Sequence, residues 1–352
     1  MSIVLIGGAC GKVGSPVPPS RLSERTAELT AVQRGASILL SWPLPVLVQD
    51  ESSRSFISRV DIYRLAERRD QEAVLDPDDY ERTAQIVGVL DRAKIEAQAK
   101  SSASLHYTDG VSLTDSNTRL RYAVRYVNKR DQAAAFSNTV AIEPASAVAL
   151  PPADLIAKAE VQDAVTISWS PPAANIDGAS PASVLGYNIY RRMAKREFAG
   201  ELLNSEPVTG TSFTDTRFQY MVEYVYYVRA LSQGASGLVE SADSEPLSFK
   251  PVDKFAPSAP KPVSAASANG TISLFWPSSA EQDVIGYNVY RSSSADTPDE
   301  QWIKLNDQPL TTVTFRDDLV VIDQMYLYRV TAIDRFNNES ERSRVVSEIA
   351  HP

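Results

Sequence analysis

The residues of this 352-residue chain with the reactivity to do chemistry are few: two histidines, one cysteine and some short runs of aspartate. A nucleophilic triad needs a base beside its nucleophile. His106 lies one residue before Tyr107 in an alternating segment and reads as a strand-face residue. His351 is next to last and reads as part of a disordered end. No His-x-x-x-His or Cys-x-x-Cys spacing occurs, so no transition-metal site is expected. Gly7-Gly8 precedes no helix and lacks the phosphate-loop lysine. Carboxylates cluster at Asp76/Asp78/Asp79, Asp296/Asp299/Glu300 and Asp317/Asp318. Acid–base hydrolysis wants two of them across a cleft, one in apolar surroundings. Linear clusters in loops read instead as solvated charge, and Asp76–Asp79 lacks the twelve-residue calcium loop. The expectation is a protein without catalytic residues, cofactor or metal, and so not an enzyme.

Composition narrows the partners. Hydrophobic residues at 43% and charged ones at 22% suit a globular protein. Lys plus Arg number 35 against 44 for Asp plus Glu, a net charge of −9 with no basic stripe. Nucleic acid is therefore not an expected partner, nor is an anionic membrane surface held by charge. With Cys10 the single cysteine, no disulfide can staple a domain, and packing must suffice. Fifteen tyrosines would suit a sugar- or peptide-binding surface. Most of them, such as Tyr187, Tyr190, Tyr224, Tyr226, Tyr287 and Tyr290, recur at fixed places that sheet packing explains. Tyr227 and Trp302 do not. Trp302, preceded by Asp299-Glu300-Gln301, is the candidate ligand-contact residue.

The elements that would position these residues repeat three times. Alternating apolar residues lead to a tryptophan and then to proline in Ile38–Pro43, Val165–Pro171 and Ile272–Pro277, the pattern of a strand ending at a turn. A tyrosine-bearing strand follows: Val60-Asp61-Ile62-Tyr63-Arg64, Tyr187-Asn188-Ile189-Tyr190-Arg191 and Tyr287-Asn288-Val289-Tyr290-Arg291. Each copy then has an aromatic two places before an aspartate: Tyr107/Asp109, Phe213/Asp215 and Phe315/Asp317. A Tyr-x-Tyr-x-Val-x-Ala strand comes next at Tyr224–Ala230 and Tyr326–Ala332, degenerate in the first copy as Leu120, Tyr122, Val124 and Tyr126. Serine-rich turns and a last strand close the copies at Ser137–Ile142, Ser244–Phe249 and Ser343–Ile349.

This arrangement resembles the fibronectin type III domain. The resemblance implies an all-β fold of three tandem immunoglobulin-like sandwiches at 25–143, 152–250 and 257–352, behind a tail at 1–24. It implies an inward tryptophan and a tyrosine corner, which Tyr224 and Tyr326 match and Leu120 does not. The first copy also carries about twenty extra residues between Tyr63 and Asp109. They include Ala66–Tyr80, which reads as a solvated excursion on a tolerant loop, with Asp76-Pro77-Asp78-Asp79 opening a short helix. Proline-rich connections near 143–152 and 251–262 read as semi-rigid.

The tail has a resemblance of its own. Met1–Ala9 is a short apolar run ending in small residues before Cys10, which resembles a bacterial lipobox. No Lys or Arg precedes the run, and Gly7 stands where a lipobox usually has leucine; a start codon further upstream would account for the shortness. Cys10-Gly11-Lys12-Val13-Gly14-Ser15-Pro16 is similar to the opening of small outer-membrane lipoproteins. That likeness implies a lipid on Cys10, a membrane partner through it, and a place in the bacterial cell envelope. Pro16, Pro18 and Pro19 would then hold the first domain off the membrane as an extended spacer. The expected function is a non-catalytic, lipid-anchored envelope protein whose domains space and bind other proteins. The alternative is a carbohydrate- or matrix-binding accessory module, which would need an exposed aromatic platform.

Overall fold

The computed structural model describes residues 28–352 apart from positions 48, 52–54, 71–75, 113–116 and 196–199. Cys10 and the expected 1–24 spacer therefore lie outside the described residues. Among those described, no helix is long and apolar enough to cross a membrane.

The third sandwich shows the plan most simply. With strands numbered along the whole chain, β16 (Ser264–Ala268), β17 (Thr271–Phe275) and β20 (Thr314–Asp317) form one antiparallel sheet. The other sheet runs in the order β19 (Ile303–Lys304), β18 (Val284–Ser292), β21 (Met325–Asp334), β22 (Val346–Ile349). Period-two alternation does the sorting: Ile272, Leu274 and Trp276 turn inward from β17 and its end, meeting Tyr287 and Val289 of β18 and Tyr328 and Val330 of β21.

The second sandwich repeats this. Its three-stranded sheet joins β8 (Ala153–Val161), β9 (Ala164–Ser170) and β12 (Ser212–Asp215). The facing sheet contains β10 (Gly186–Met193), β11 (Glu201–Leu202), β13 (Tyr224–Gly234), β14 (Gly237–Glu240) and β15 (Leu247–Phe249). Val165, Ile167 and Trp169 are its inward row.

The first sandwich pairs β1 (Thr30–Arg34), β2 (Ser37–Pro43) and β5 (Ser104–Gly110) in one sheet. Its second sheet runs β4 (Gln85–Asp91), β3 (Ile57–Arg68), β6 (Thr118–Asn128), β7 (Val140–Ile142). Two helices, α1 (Pro77–Thr83) and α2 (Arg92–Ala99), lie in the extra sequence. Asp76 caps α1 by accepting the Asp79 N–H at 2.8 Å, as the Asp-Pro-Asp-Asp pattern leads one to expect.

The insertion is not a solvated excursion. Tyr80 of α1 is 2% exposed, edge-on to Phe136, and donates its hydroxyl to the Arg121 carbonyl at 3.2 Å. Ile95 of α2 is wholly buried in the core of the sandwich. Apolar residues spaced singly among charges in a loop hid this packing from a pattern-based reading.

The connection between the first two sandwiches also exceeds a proline-stiffened linker. β1 meets β14 in parallel, with Arg34 opposite Glu240, and the Gly35 N–H donates to the Glu240 carbonyl at 2.8 Å. A single eight-stranded sheet thereby runs from the first sandwich into the second. Gln33, buried, locks the linker as well: its amide nitrogen donates to the Ala145 carbonyl at 2.7 Å and its oxygen accepts the Ala145 N–H at 2.8 Å. The described residues up to Lys158, with Ala164–Phe218 and Val222–Lys250, make one compact unit. A second comprises Ala159–Asp163, Gln219–Met221 and Pro251–Pro352.

Candidate functional site

Each sandwich carries the same buried polar clamp. Asp109 accepts from the Tyr122 hydroxyl at 2.7 Å and from Arg64 at 2.8 Å. Asp215 accepts from Tyr226 at 2.9 Å and Arg191 at 2.7 Å; Asp317 accepts from Tyr328 and Arg291, both at 2.8 Å. Burial, and then the neighbouring carboxylate, push all three tyrosines well above the usual phenol range. A buried carboxylate that meets a guanidinium and a phenol is satisfied, and no proton is left in reach of a substrate. The clamp is structural.

It also changes the expectation of a tyrosine corner. Tyr326 does accept a backbone N–H, from Val321 at 3.0 Å. The anchor common to all three copies is the other tyrosine of the pair, two places on, so Leu120 does not leave the first sandwich without one.

A second shared feature lies at the end of β14. Glu240 accepts from Asn188 and Arg229, both at 2.7 Å, and from the Tyr190 hydroxyl, while Arg34 approaches to 3.8 Å. Burial pushes Glu240 upward, yet the hydrogen bonds from Asn188 and Tyr190 and the Arg229 charge outweigh it and hold it below the usual carboxylate range. Tyr190 is pushed up to about 12 by burial and by that same hydrogen bond. The third sandwich repeats the group with Glu339 accepting from Asn288 at 3.1 Å, Tyr290 at 2.6 Å and Thr331.

Trp302 does not present an open ring. It is 6% exposed, Arg329 lies over it at 4.6 Å, and its indole N–H donates to the Thr297 carbonyl at 3.1 Å. The equivalent of Trp302 in the second sandwich is Gly200, and the equivalent of Arg329 is Tyr227. There the Gly200 N–H donates to the Tyr227 hydroxyl at 2.9 Å, and a Cβ on Gly200 would meet that oxygen at 2.8 Å. The aromatic has changed strands, which explains why both Trp302 and Tyr227 fall outside the tyrosine repeat. A ligand would have to displace Arg329 to reach the indole.

The remaining candidates are also placed. His106 is exposed on β5, its Nε2 3.3 Å from Ser102 Oγ. His351 is not part of a loose end: its N–H donates to Ser267 Oγ and its carbonyl accepts from Gly270 at 2.8 Å. Asp79 pairs with Arg82, Asp318 with Arg316 at 2.6 Å, and Asp299 with Arg329 at 2.6 Å.

One cluster escaped sequence reasoning. Asp253, Asp283 and Asp334 each bring a carboxylate oxygen within 4.8 Å of the others. They come from the linker, the start of β18 and the end of β21, some thirty to fifty residues apart, so no linear spacing betrays them. Asp334 is wholly buried and Asp253 is 5% exposed. Oxygen ligands of this kind suit a hard cation.

Trp-centred sandwiches with a three-stranded sheet facing a sheet of four or more make this an all-β chain, the fold class that the sequence resemblance implies. No family model matches the chain. A stretch of 100 residues, 28% of this chain, is 38% identical to part of an amylopullulanase of Thermoanaerobacterium saccharolyticum. The same length is 38% identical to part of another from Thermoanaerobacterium thermosulfurigenes. The match spans 7% and 5% of those two proteins. Among solved structures, the chicken CNTN1 FN1–FN3 domains align over 93% of this chain and 99% of that one, at 15% identity and a TM-score of 0.29.

Proposed function

We propose that this chain is a non-catalytic spacer and protein-interaction module, held at the bacterial cell envelope by a lipid on Cys10. The observation that carries the module reading is the sheet shared by the first two sandwiches through Gly35 and Glu240. A spacer works by fixing where its ends sit, and a backbone hydrogen bond between domains fixes them better than a linker does. Spin labels on exposed residues of the first and second sandwiches should give one narrow distance distribution. A broad one, as from domains swinging about residues 143–152, would sink the spacer reading. For the anchor, radiolabelled palmitate should enter the mature protein and be lost in Cys10→Ala; label that persists in the variant contradicts it.

A second reading, a carbohydrate-related accessory module, is favoured by the likeness to short segments of two amylopullulanases. Domains of this fold serve many roles, so the likeness is one of association. Because Arg329 covers Trp302, that reading needs a surface other than the indole. Binding on a glycan array that survives Trp302→Ala would support it, and silence across the array would remove it.

A further inference from the structure

We propose that the third sandwich holds a docking groove for the acidic edge of the second sandwich of another molecule of this chain. A cavity of about 660 Å³ opens in the third sandwich between the segment before β16 and the segment before β22. Pro260, Pro262, Val263 and Val345 give it apolar walls, and Lys261, Arg342 and Arg344 give it charge. Lys261 and Arg344 are exposed, and among the described residues no carboxylate pairs with either. Arg342 stacks on Tyr290 at 4.5 Å and lies 3.9 Å from Asp299, yet its buried Nη1 meets no hydrogen-bond partner among the described residues. Three cations lining one groove attract an acidic occupant.

The fold does not require this groove. Ser137, Ser244 and Ser343 mark one place in the three sandwiches: their hydroxyls accept the N–H groups of Val124, Val228 and Val330 at 3.0, 3.0 and 2.9 Å. One residue further on, the first sandwich has Asn138, whose amide clips the opposite segment shut. Its oxygen accepts the Leu29 N–H at 2.7 Å, and its nitrogen donates to the Leu29 carbonyl at 3.0 Å. In the third sandwich Arg344 takes that place. Val263, thirteen residues before the inward tryptophan as Leu29 is, lines the cavity instead. One asparagine suffices to close the gap; the third sandwich keeps it open and charged.

The second sandwich supplies the occupant. Beside Ser244 it carries Asp243 and Glu245, where the third sandwich has Arg342 and Arg344 beside Ser343. Asp154 lies two places after the buried Pro152, near where Lys261 follows the buried Pro260. All three acids are exposed, and among the described residues no lysine or arginine pairs with Asp154 or Glu245. Ile156, 51% exposed, and Pro246, also exposed, are close to them in sequence and give the edge an apolar knob. The two surfaces have opposite charge, so each repels its own kind and attracts the other. Apolar burial supplies adhesion, and the charges select the pairing. Because two different surfaces meet, the contact is heterologous and molecules add head to tail.

Sedimentation velocity of the full chain at low salt should show species heavier than the monomer that grow with protein concentration. Association should weaken about tenfold or more in about 0.5 M sodium chloride. Lys261→Glu/Arg344→Glu should leave the chain monomeric, and so should Asp154→Lys/Glu245→Lys. Both pairs change exposed side chains and should fold as the parent does, by far-ultraviolet circular dichroism; if one misfolds, the other gives the readout. Mixed, the two variants should associate again, because the acidic edge of the first fits the unchanged groove of the second. A parent chain that stays monomeric at every concentration would overturn the proposal. So would association indifferent to salt, association undiminished in a folded variant, or a mixture of the two folded variants that stays monomeric.

Discussion

The second and third sandwiches are close to the same object built twice, and they differ where they meet their surroundings. Both have the inward tryptophan packed edge-on to a tyrosine, Trp169 on Tyr187 and Trp276 on Tyr287. Both have the aspartate–arginine–tyrosine clamp. Both use a buried asparagine, Asn204 or Asn306, to accept the backbone N–H of the middle strand at 2.8 Å. At the rim they part. Glu240 is bonded by Arg229 and joins its carbonyl to the first sandwich, whereas the side chain of Glu339 is bonded by Thr331 in place of that arginine. Ser183 and Ser232 become Asp283 and Asp334. Core positions make a sandwich, and a rim position joins the second sandwich to the first.

The largest effect expected from this comparison is at the shared clamp. Asp215→Ala or Asp317→Ala strands a guanidinium that is mostly buried, together with a tyrosine hydroxyl, and should destabilise the affected domain by about 3–5 kcal/mol. Chemical denaturation should find the two losses alike. A clamp that mattered in only one domain would break the equivalence.

Next is the exchanged aromatic. Trp302→Ala should cost the third domain about 3–5 kcal/mol. Gly200→Ala should cost the second about 1–3 kcal/mol, because its Cβ would press on Tyr227. A neutral Trp302→Ala would restore the indole as a ligand-contact residue, since a residue kept for binding need not support the fold.

The pH profile follows from the shifted groups, and the sign differs at its two ends. Tyr122, Tyr226 and Tyr328 are raised in the folded state by burial and by their aspartates. Their contribution is whole below the unfolded phenol value of about 10 and is lost as pH climbs above it. Glu240 and Glu339 are lowered despite burial, so theirs is present above about pH 4.3 and fades as pH falls through their folded values. Thermal unfolding should be flat between, with Tyr122, Tyr226 and Tyr328 ionising only on alkaline unfolding. Early ionisation of the clamp tyrosines would contradict their burial.

The smallest effect should come from Arg34→Ala. Its ion pair with Glu240 is 3.8 Å long and part-exposed, and the loss should be under about 1 kcal/mol. The backbone bond at Gly35 is expected to hold the interface without it.

Much of this was legible in the residues. Trp42, Trp169 and Trp276 announced three sandwiches because an inward row must alternate, and alternation survives in sequence. Asp109, Asp215 and Asp317, with Tyr122, Tyr226 and Tyr328, were all visible as repeats. Their union in one clamp was not, because it links strands that pair only after folding. The parallel contact of β1 with β14 rests on a main-chain N–H at Gly35, to which side-chain patterns are blind. The aspartate trio is dispersed along the chain and emerges only when Ser183 and Ser232 are laid over Asp283 and Asp334. The burial of Tyr80 leaves no trace in the sequence, because a single apolar residue among charges has no period to reveal its face.

Amide hydrogen exchange at Gly35 bears most directly on the claim that a rim position joins two sandwiches. If its N–H is bonded to the Glu240 carbonyl across the domain boundary, it should exchange as slowly as the amides of the β13–β14 hairpin that it extends. Exchange at the rate of an open turn would mean that the first two sandwiches are merely tethered, and that the shared sheet does not exist in solution.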